Sequence, residues 1–199
     1  LPDTTRIDTT ICTGESLQVA TQSFDQTGVY EVMLQSAVGC DSLVQLSLDV
    51  QTLEINIAPP ASLNCRVENI DLVAIASGSN NLMYEWLLNQ SPVGITNSLN
   101  VNEAGVYELI ISDENTGCTA NTSTEILDER SFPNAEAGED SSLTCSQMDI
   151  EIDGTSSSTG NLEYNWQLPD GTNITEAIVI AADTGFYFLT VENIDNGCT

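Results

Sequence analysis

Apolar residues in this chain gather in short runs, and no window repeats at helical spacing for long enough to compete with a strand reading. Ile70-Asp-Leu72-Val-Ala74, Met83-Tyr-Glu-Trp86-Leu, Tyr107-Glu-Leu109-Ile-Ile111 and Phe186-Tyr-Phe188-Leu-Thr190-Val191 are rich in β-branched and aromatic side chains. Between them, Ser77-Gly78-Ser79-Asn80-Asn81, Glu114-Asn115-Thr116-Gly117 and Pro169-Asp170-Gly171 concentrate turn-forming residues. Short strands broken by turns at this spacing predict an all-β chain of sandwiches.

The runs repeat. Two segments align without a gap at an offset of 80 residues: Leu63-x-Cys65 with Leu143-x-Cys145, and Leu82-x-Tyr84-x-Trp86 with Leu162-x-Tyr164-x-Trp166. Gly105-x-Tyr107-x-Leu109 matches Gly185-x-Tyr187-x-Leu189, and Gly117-Cys118-Thr119 matches Gly197-Cys198-Thr199. The first fifty residues carry a reduced version with Cys12, Gly28-Val29-Tyr30 and Gly39-Cys40, in which the stretch holding the Trp hairpin is missing. Three domains are therefore expected in a linear array: a short, incomplete cysteine-paired β module at 1–50, a sandwich at 51–130, and a sandwich at 131–199 without its last strand. Without the Trp hairpin the first module is expected to need cover for its edges from a neighbour or another chain. The chain begins at Leu1 and stops directly after a Gly-Cys signal, which reads as a piece of a longer polypeptide.

Three positions give the sandwich its type. Trp86 and Trp166 fall on the third strand of their domains. Glu103-Ala104-Gly105-Val106-Tyr107 and Asp183-Thr184-Gly185-Phe186-Tyr187 have the acid-x-Gly-x-Tyr form of a tyrosine corner, with Tyr30 in the reduced copy. The slots where antibody-type domains carry their core disulfide hold Leu72 and Leu109 in one unit and Ile152 and Leu189 in the next. These aliphatics are expected to pack on the indoles, an immunoglobulin-like core with its cysteines moved outward.

Charge changes what the sandwiches can do. There are 30 acidic residues against Arg6, Arg66 and Arg130, with no Lys and no His, for a net charge of −27. Absence of His removes Ser-His and Cys-His nucleophile pairs and imidazole metal ligands. Absence of Lys removes Schiff bases and lysine-asparagine cross-links. Nucleic acid and anionic membranes are poor partners for such a surface. Paired carboxylates can do glycosidase chemistry, yet no two here are marked as facing across a cleft. The chain is not read as an enzyme, and no run of apolar residues is long enough to span a membrane.

The six cysteines fall as Cys12 and Cys40, Cys65 and Cys118, Cys145 and Cys198, one pair per unit. An even count at matched spacing, with no finger-like ligand cluster, predicts disulfides and an oxidising compartment rather than zinc. Pairing within each unit is the simplest of the possible connectivities and is the expectation here. Geometry strains it: strand B starts at one pole and strand F ends at the other, so Cys65 must sit well along strand A to reach Cys118. Otherwise Cys118 reaches a neighbouring domain or molecule.

The Ala135-x-Ala-Gly138-x-Asp140-x-x-Leu143-x-Cys145 opening, Asp153-Gly154 and the Gly-Cys-Thr close resemble repeats of very large surface and secreted proteins of Bacteroidota. They are similar to polycystic-kidney-disease-type and related bacterial immunoglobulin-like domains. Gly39-Cys40-Asp41-Ser42-Leu43-x-x-Leu46-x-Leu48-x-Val50 resembles short cysteine-paired modules interspersed among them. The resemblance implies a spacer or adhesive stalk outside the cell, exported by type IX secretion.

Weaker candidates remain. Asp128, Glu129, Glu136, Glu139 and Asp140 gather at a domain junction, with Asp113 and Glu114 on a nearby turn, and could hold calcium or form a solvated linker. No other cofactor is suggested. Asn89-Gln-Ser91, Asn121-Thr-Ser123 and Asn173-Ile-Thr175 match the N-glycan triplet, and Asp41-Ser42-Leu43 fits a short O-glycosylation pattern. The functional expectation is a structural or adhesive segment of an extracellular cell-surface protein, a rigid spacer or filament subunit that self-associates or meets another surface protein or glycan. The alternatives are a carbohydrate- or protein-binding module, and an accessory region of a secreted enzyme.

Overall fold

The computed structural model describes residues 3–34, 42–58 and 62–199, and its regular elements are all strands. The chain is a tandem of immunoglobulin-like β-sandwich domains, the first of them short. Cys40 and Asp41, the first residue of the O-glycosylation pattern, lie outside the described residues.

The first repeat holds β1 (Asp3–Cys12), β2 (Leu17–Val19), β3 (Gln22–Phe24), β4 (Gly28–Leu34) and β5 (Ser42–Gln51). Strand β1 runs parallel to β5 from Asp3 opposite Ser42 to Cys12 opposite Gln51, and β4 pairs antiparallel on the other side of β5. Alternation along Val44-Gln-Leu46-Ser-Leu48 sends the aliphatics to one face, where they are buried with Val19 and Val32. Leu17 and Phe24 of the β2–β3 hairpin pack on that cluster. In immunoglobulin terms β2 and β3 are strands B and E joined directly, with C and its neighbours deleted. The small hairpin closes the second layer, so this repeat has a core of its own.

The second repeat holds β6 (Glu54–Ile57), β7 (Ile70–Ser77), β8 (Leu82–Leu88), β9 (Ser91–Gly94), β10 (Ser98–Val101), β11 (Gly105–Asp113) and β12 (Thr119–Ile126). Its two sheets have the orders β10-β7-β6 and β12-β11-β8-β9, the E-B-A and G-F-C-C′ layers of an immunoglobulin-like sandwich. Trp86 lies directly opposite Leu109 across β8 and β11, and both are fully buried together with Leu72 and Tyr107.

Strands β13 (Ile150–Asp153), β14 (Leu162–Gln167), β15 (Asn173–Ile174), β16 (Ile178–Ala181) and β17 (Phe188–Asn193) make the third repeat. The sheets are β13-β16 and β15-β14-β17, and Trp166 again faces the aliphatic partner, Leu189. A Cβ at Gly154 would stand 3.0 Å from Leu189 Cδ2 and 3.3 Å from Trp166 Cζ2, so that glycine admits both side chains. Trp166 is fully buried, whereas Ile152, Tyr187 and Leu189 are half-buried.

Backbone proximity divides the chain into two compact units. One comprises Leu1–Pro60, Asp71–Val101 and Gly105–Glu125, and the other Ala61–Ile70, Asn102–Ala104 and Ile126–Thr199. Both units thus draw on more than one sequence repeat.

Candidate functional site: the disulfide staples

In the first compact unit a disulfide joins Cys12 to Cys118, with Cα atoms 5.4 Å apart. In the second, Cys65 is bonded to Cys198 at a Cα separation of 5.1 Å. Cys145 is exposed and unpaired. The expected pairing within each repeat is therefore wrong. The first cysteine of one repeat bonds the Gly-Cys cysteine of the next, over separations of 106 and 133 residues.

Strand polarity is the reason. Because β1 runs parallel to β5, Cys12 ends beside Gln51, where the chain leaves the first repeat. In the second repeat the start of β6 pairs with the end of β7 (Glu54 opposite Ser77), and the start of β8 with the end of β11 (Leu82 opposite Asp113). The turn after β11, which carries Cys118, is thereby at the pole where that repeat is entered. Cys65 repeats the logic: Leu63 makes a parallel bridge with Asp128, its N–H donating to Leu127 O at 2.9 Å and its carbonyl accepting from Glu129 N–H at 2.8 Å.

Both turns are built alike. The Asp113 N–H donates to Cys118 O at 2.9 Å and the Gly117 N–H to Asp113 O at 2.8 Å; Asn193 with Cys198 and Gly197 with Asn193 repeat these bonds at 2.8 and 2.7 Å. Gly117 and Gly197 have φ of 75° and 73°, a left-handed conformation that favours glycine and accounts for the Gly-Cys pair. The side chain heading each turn caps it: Asp113 Oδ1 accepts from Asn115 N–H at 2.7 Å and Asn193 Oδ1 from Asp195 N–H at 3.0 Å.

Polar groups fasten each staple. Gln51, the partner of Cys12 in β5, donates from Nε2 to Asp113 Oδ2 at 2.5 Å and to Gly78 O at 3.1 Å, and accepts from the Thr116 hydroxyl. These bonds, Gln51 first, then Ser79 and the Asn115 N–H, hold the Asp113 carboxyl at about 2, below its ordinary 3.8. In the second unit the Cys65 N–H donates to Asn196 O at 3.1 Å, and Asn196 Nδ2 donates to Glu129 O and Ser131 O at 2.9 and 3.0 Å. Beside it, Arg66 spans Ile194 O at 2.8 Å and the Glu192 carboxylate at 2.7 Å. Sequence reasoning missed Gln51 and Asn196, which are ordinary surface amides until the cysteines beside them are paired.

The acidic calcium candidates are not brought together. Arg130 binds the Asp128 carboxylate through Nε and Nη2 at 2.8 and 2.7 Å and is the main cause holding its carboxyl at about 2. Glu129 accepts from Ser62 and Glu136 from Asn134, at 2.5 and 2.7 Å. Glu139 and Asp140 are exposed. Among the described residues no three acidic or cysteine side chains form a metal-sized group.

The tyrosine hydroxyls tie the turns before their strands: Tyr30 donates to Gln26 O at 2.8 Å and Tyr187 to Asp183 O at 3.0 Å. An open groove of about 550 Å³ beside the second staple is lined by Glu68, Arg130 and Phe132, a single carboxylate next to a cation. Another of about 530 Å³ in the first unit runs along Asp8, Asp49 and several threonines. Neither places an acid in a low-polarity wall beside a second acid, the arrangement that would separate their proton affinities for acid-base work.

The chain matches no protein-family profile and no curated protein. Among solved structures it is similar to the three-domain titin segment I67–I69, an E-to-A variant, at 13% identity and a TM-score of 0.45, covering 98% of this chain and 92% of that one. It is also similar to the four N-terminal immunoglobulin domains of Dscam1 isoform 1.9 and isoform 9.44, at 15% and 14% identity and TM-scores of 0.34 and 0.35. Those two alignments cover 63% of this chain and 43% of each Dscam1 chain, so it spans less than half of their length.

Proposed function

We propose that this chain is a load-bearing segment of a large extracellular surface protein, a spacer or filament module whose repeats are fastened in series by disulfides. The observation that carries the reading is the pairing of Cys12 with Cys118 and of Cys65 with Cys198, each from one repeat to the next. A disulfide inside a domain stiffens that domain, whereas one reaching into the following repeat keeps tension from extending the chain between them. Formed disulfides also favour an oxidising location outside the cytoplasm. The acidic surface supports solubility and disfavours nucleic acid and anionic membrane. Among the described residues no helix is long and apolar enough to cross a membrane. The likeness of the repeat to Bacteroidota surface proteins extends the proposal to export by type IX secretion and to lateral self-association.

Single-molecule pulling tests the mechanical role. Unreduced chains are expected to release little length at low force, because most residues lie inside closed loops; since the two loops overlap, a reducing agent should add the extension of the 133 residues separating Cys65 from Cys198. Equal contour lengths before and after reduction would remove the load-bearing reading. Surface location is checked by protease shaving of intact cells that make the full-length protein.

One observation favours a second reading, recognition of a glycan. Phe186 and Phe188 are exposed, stack at 6.2 Å between ring centroids, and line a shallow groove with Pro169 and Gly171. A flat aromatic pair in water can stack on a sugar ring. Glycan-array binding lost in Phe186→Ala and Phe188→Ala would support it, and a blank array would remove it.

A further inference from the structure

We infer that Cys145 is the open half of a third staple and forms a disulfide with the cysteine of a further Gly-Cys turn of this repeat type. The inference starts from equivalence. Leu143-x-Cys145 occupies the same place in its repeat as Leu63-x-Cys65, 80 residues earlier. One backbone bond of the turn recurs: Asn64 N–H donates to Val67 O at 3.0 Å, and Thr144 N–H to Gln147 O at 2.9 Å. Even the side-chain support repeats, since Val67 N–H donates to Asn64 Oδ1 at 2.8 Å and Gln147 N–H to Thr144 Oγ1 at 3.1 Å. Cys65 in this turn is bonded to a Gly-Cys cysteine, as is Cys12 in the first repeat, while Cys145 presents an exposed thiol.

The two formed staples specify the partner. Both end on a cysteine that follows a left-handed glycine and whose carbonyl accepts from the residue heading the turn, Asp113 or Asn193. A site that takes this motif twice in one chain selects it by geometry: the turn holds the partner's Cα about 5 Å from its own, the separation that a disulfide spans. A free small thiol lacks the backbone donor and acceptor that accompany the bond in the second unit, where Cys65 N–H donates to Asn196 O.

The bond needs an oxidant, and a disulfide carrier of the oxidised-dithiol class supplies it. The Cys145 thiolate attacks one carrier sulfur and expels the other as a thiolate, giving a mixed disulfide. The thiolate of the Gly-Cys turn then attacks the Cys145 sulfur and releases the carrier as a dithiol. The two protein thiols lose two electrons to the carrier, and their protons end on its two sulfurs.

The test extends the chain by one period, fusing after Thr199 a second copy of residues 120–199, and refolds it with oxidised and reduced glutathione. In that copy Cys145→Ser removes the duplicate thiol and Asp195→Glu marks the appended Gly-Cys peptide by mass. Non-reducing peptide mapping is expected to find Cys145 joined to the appended Gly-Cys cysteine, with Cys12–Cys118 and Cys65–Cys198 present as proof of folding. Cys145 should lose its reactivity with iodoacetamide, which it keeps in the unextended chain. A monomer on a non-reducing gel places the bond within one chain, and a dimer carrying the same Cys145 to Gly-Cys peptide places it between chains; both support the assignment. Cys145 still free beside two intact staples, or joined to another Cys145, overturns it. A Cys145→Ser variant of the extended chain should leave the appended Gly-Cys thiol titratable, and its continued protection would also overturn the assignment.

Discussion

At the scale of single residues, the two repeats place identical groups in unequal surroundings. The Trp86 Nε1–H donates to Thr96 O at 2.8 Å, whereas Trp166 Nε1 is buried without a partner. Phenylalanine at either site forfeits similar apolar area, but at position 86 it also loses a hydrogen bond, and at 166 it removes an unsatisfied donor. Trp86→Phe should therefore cost about 1–2 kcal/mol more than Trp166→Phe in urea unfolding, the worth of a buried hydrogen bond set against an unmet one. Equal losses would mean that the Trp166 donor finds water. Asp113 gives a pH prediction. Its carboxyl is held at about 2, against 3.8 for the ordinary group, mainly by Gln51, so the folded state binds this proton more weakly than the unfolded one. Its stabilising effect is complete above about pH 4 and lost as pH falls toward 2, with Asp128 acting in the same window through Arg130. Gln51→Leu removes the main cause, and the acid midpoint followed by circular dichroism should move upward. An unchanged midpoint would show that Gln51 does not hold the charge.

Elements explain which features were legible in the chain and which were not. The register of Trp86 on Leu109 and of Trp166 on Leu189 could be read ahead, because strand alternation and an 80-residue repeat fix side-chain face at both copies. The β2–β3 hairpin could not: Leu17-Gln-Val19 and Gln22-Ser-Phe24 are too short to carry a periodic signal, so the first repeat looked open. Disulfide partners were hidden for another reason. Matched spacing is preserved whether each cysteine bonds within its repeat or one repeat onward, and only the parallel pairing of β1 with β5 decides between them. Turn chemistry offers a test at this scale. The β8–β9 hairpin closes through Asn89 and Gln90, both left-handed with φ of 50° and 70°, between Leu88 and Ser91. That is a type I′ geometry, for which Asn-Gly is preferred and glutamine is strained at the second position. Gln90→Gly should raise stability by roughly 1 kcal/mol, relief of the left-handed penalty offset in part by glycine's backbone entropy. A lowered melting temperature would show that the Gln90 side chain makes a compensating contact.

For the whole molecule, charge and covalent closure act against each other. A net charge of −27 on 199 residues penalises compaction, and added salt relieves that penalty by screening. The staples act on the unfolded chain, where they close loops of 106 and 133 residues. In the chain-entropy picture each such loop contributes about 5 kcal/mol, nearly independent of which loop it is, because the dependence on length is logarithmic. Cys12 and Cys118 belong to one compact unit and Cys65 and Cys198 to the other, so the two contributions should separate. Replacing Cys12 and Cys118 together by Ala should lower one urea transition by about 5 kcal/mol or less and leave the other in place; the Cys65 and Cys198 pair should do the converse. Urea is the right denaturant, since guanidinium chloride would screen the acidic surface while unfolding it. If either double replacement shifts both transitions equally, the units unfold as one body. The staples would then be parts of a single cooperative structure rather than independent fasteners between repeats.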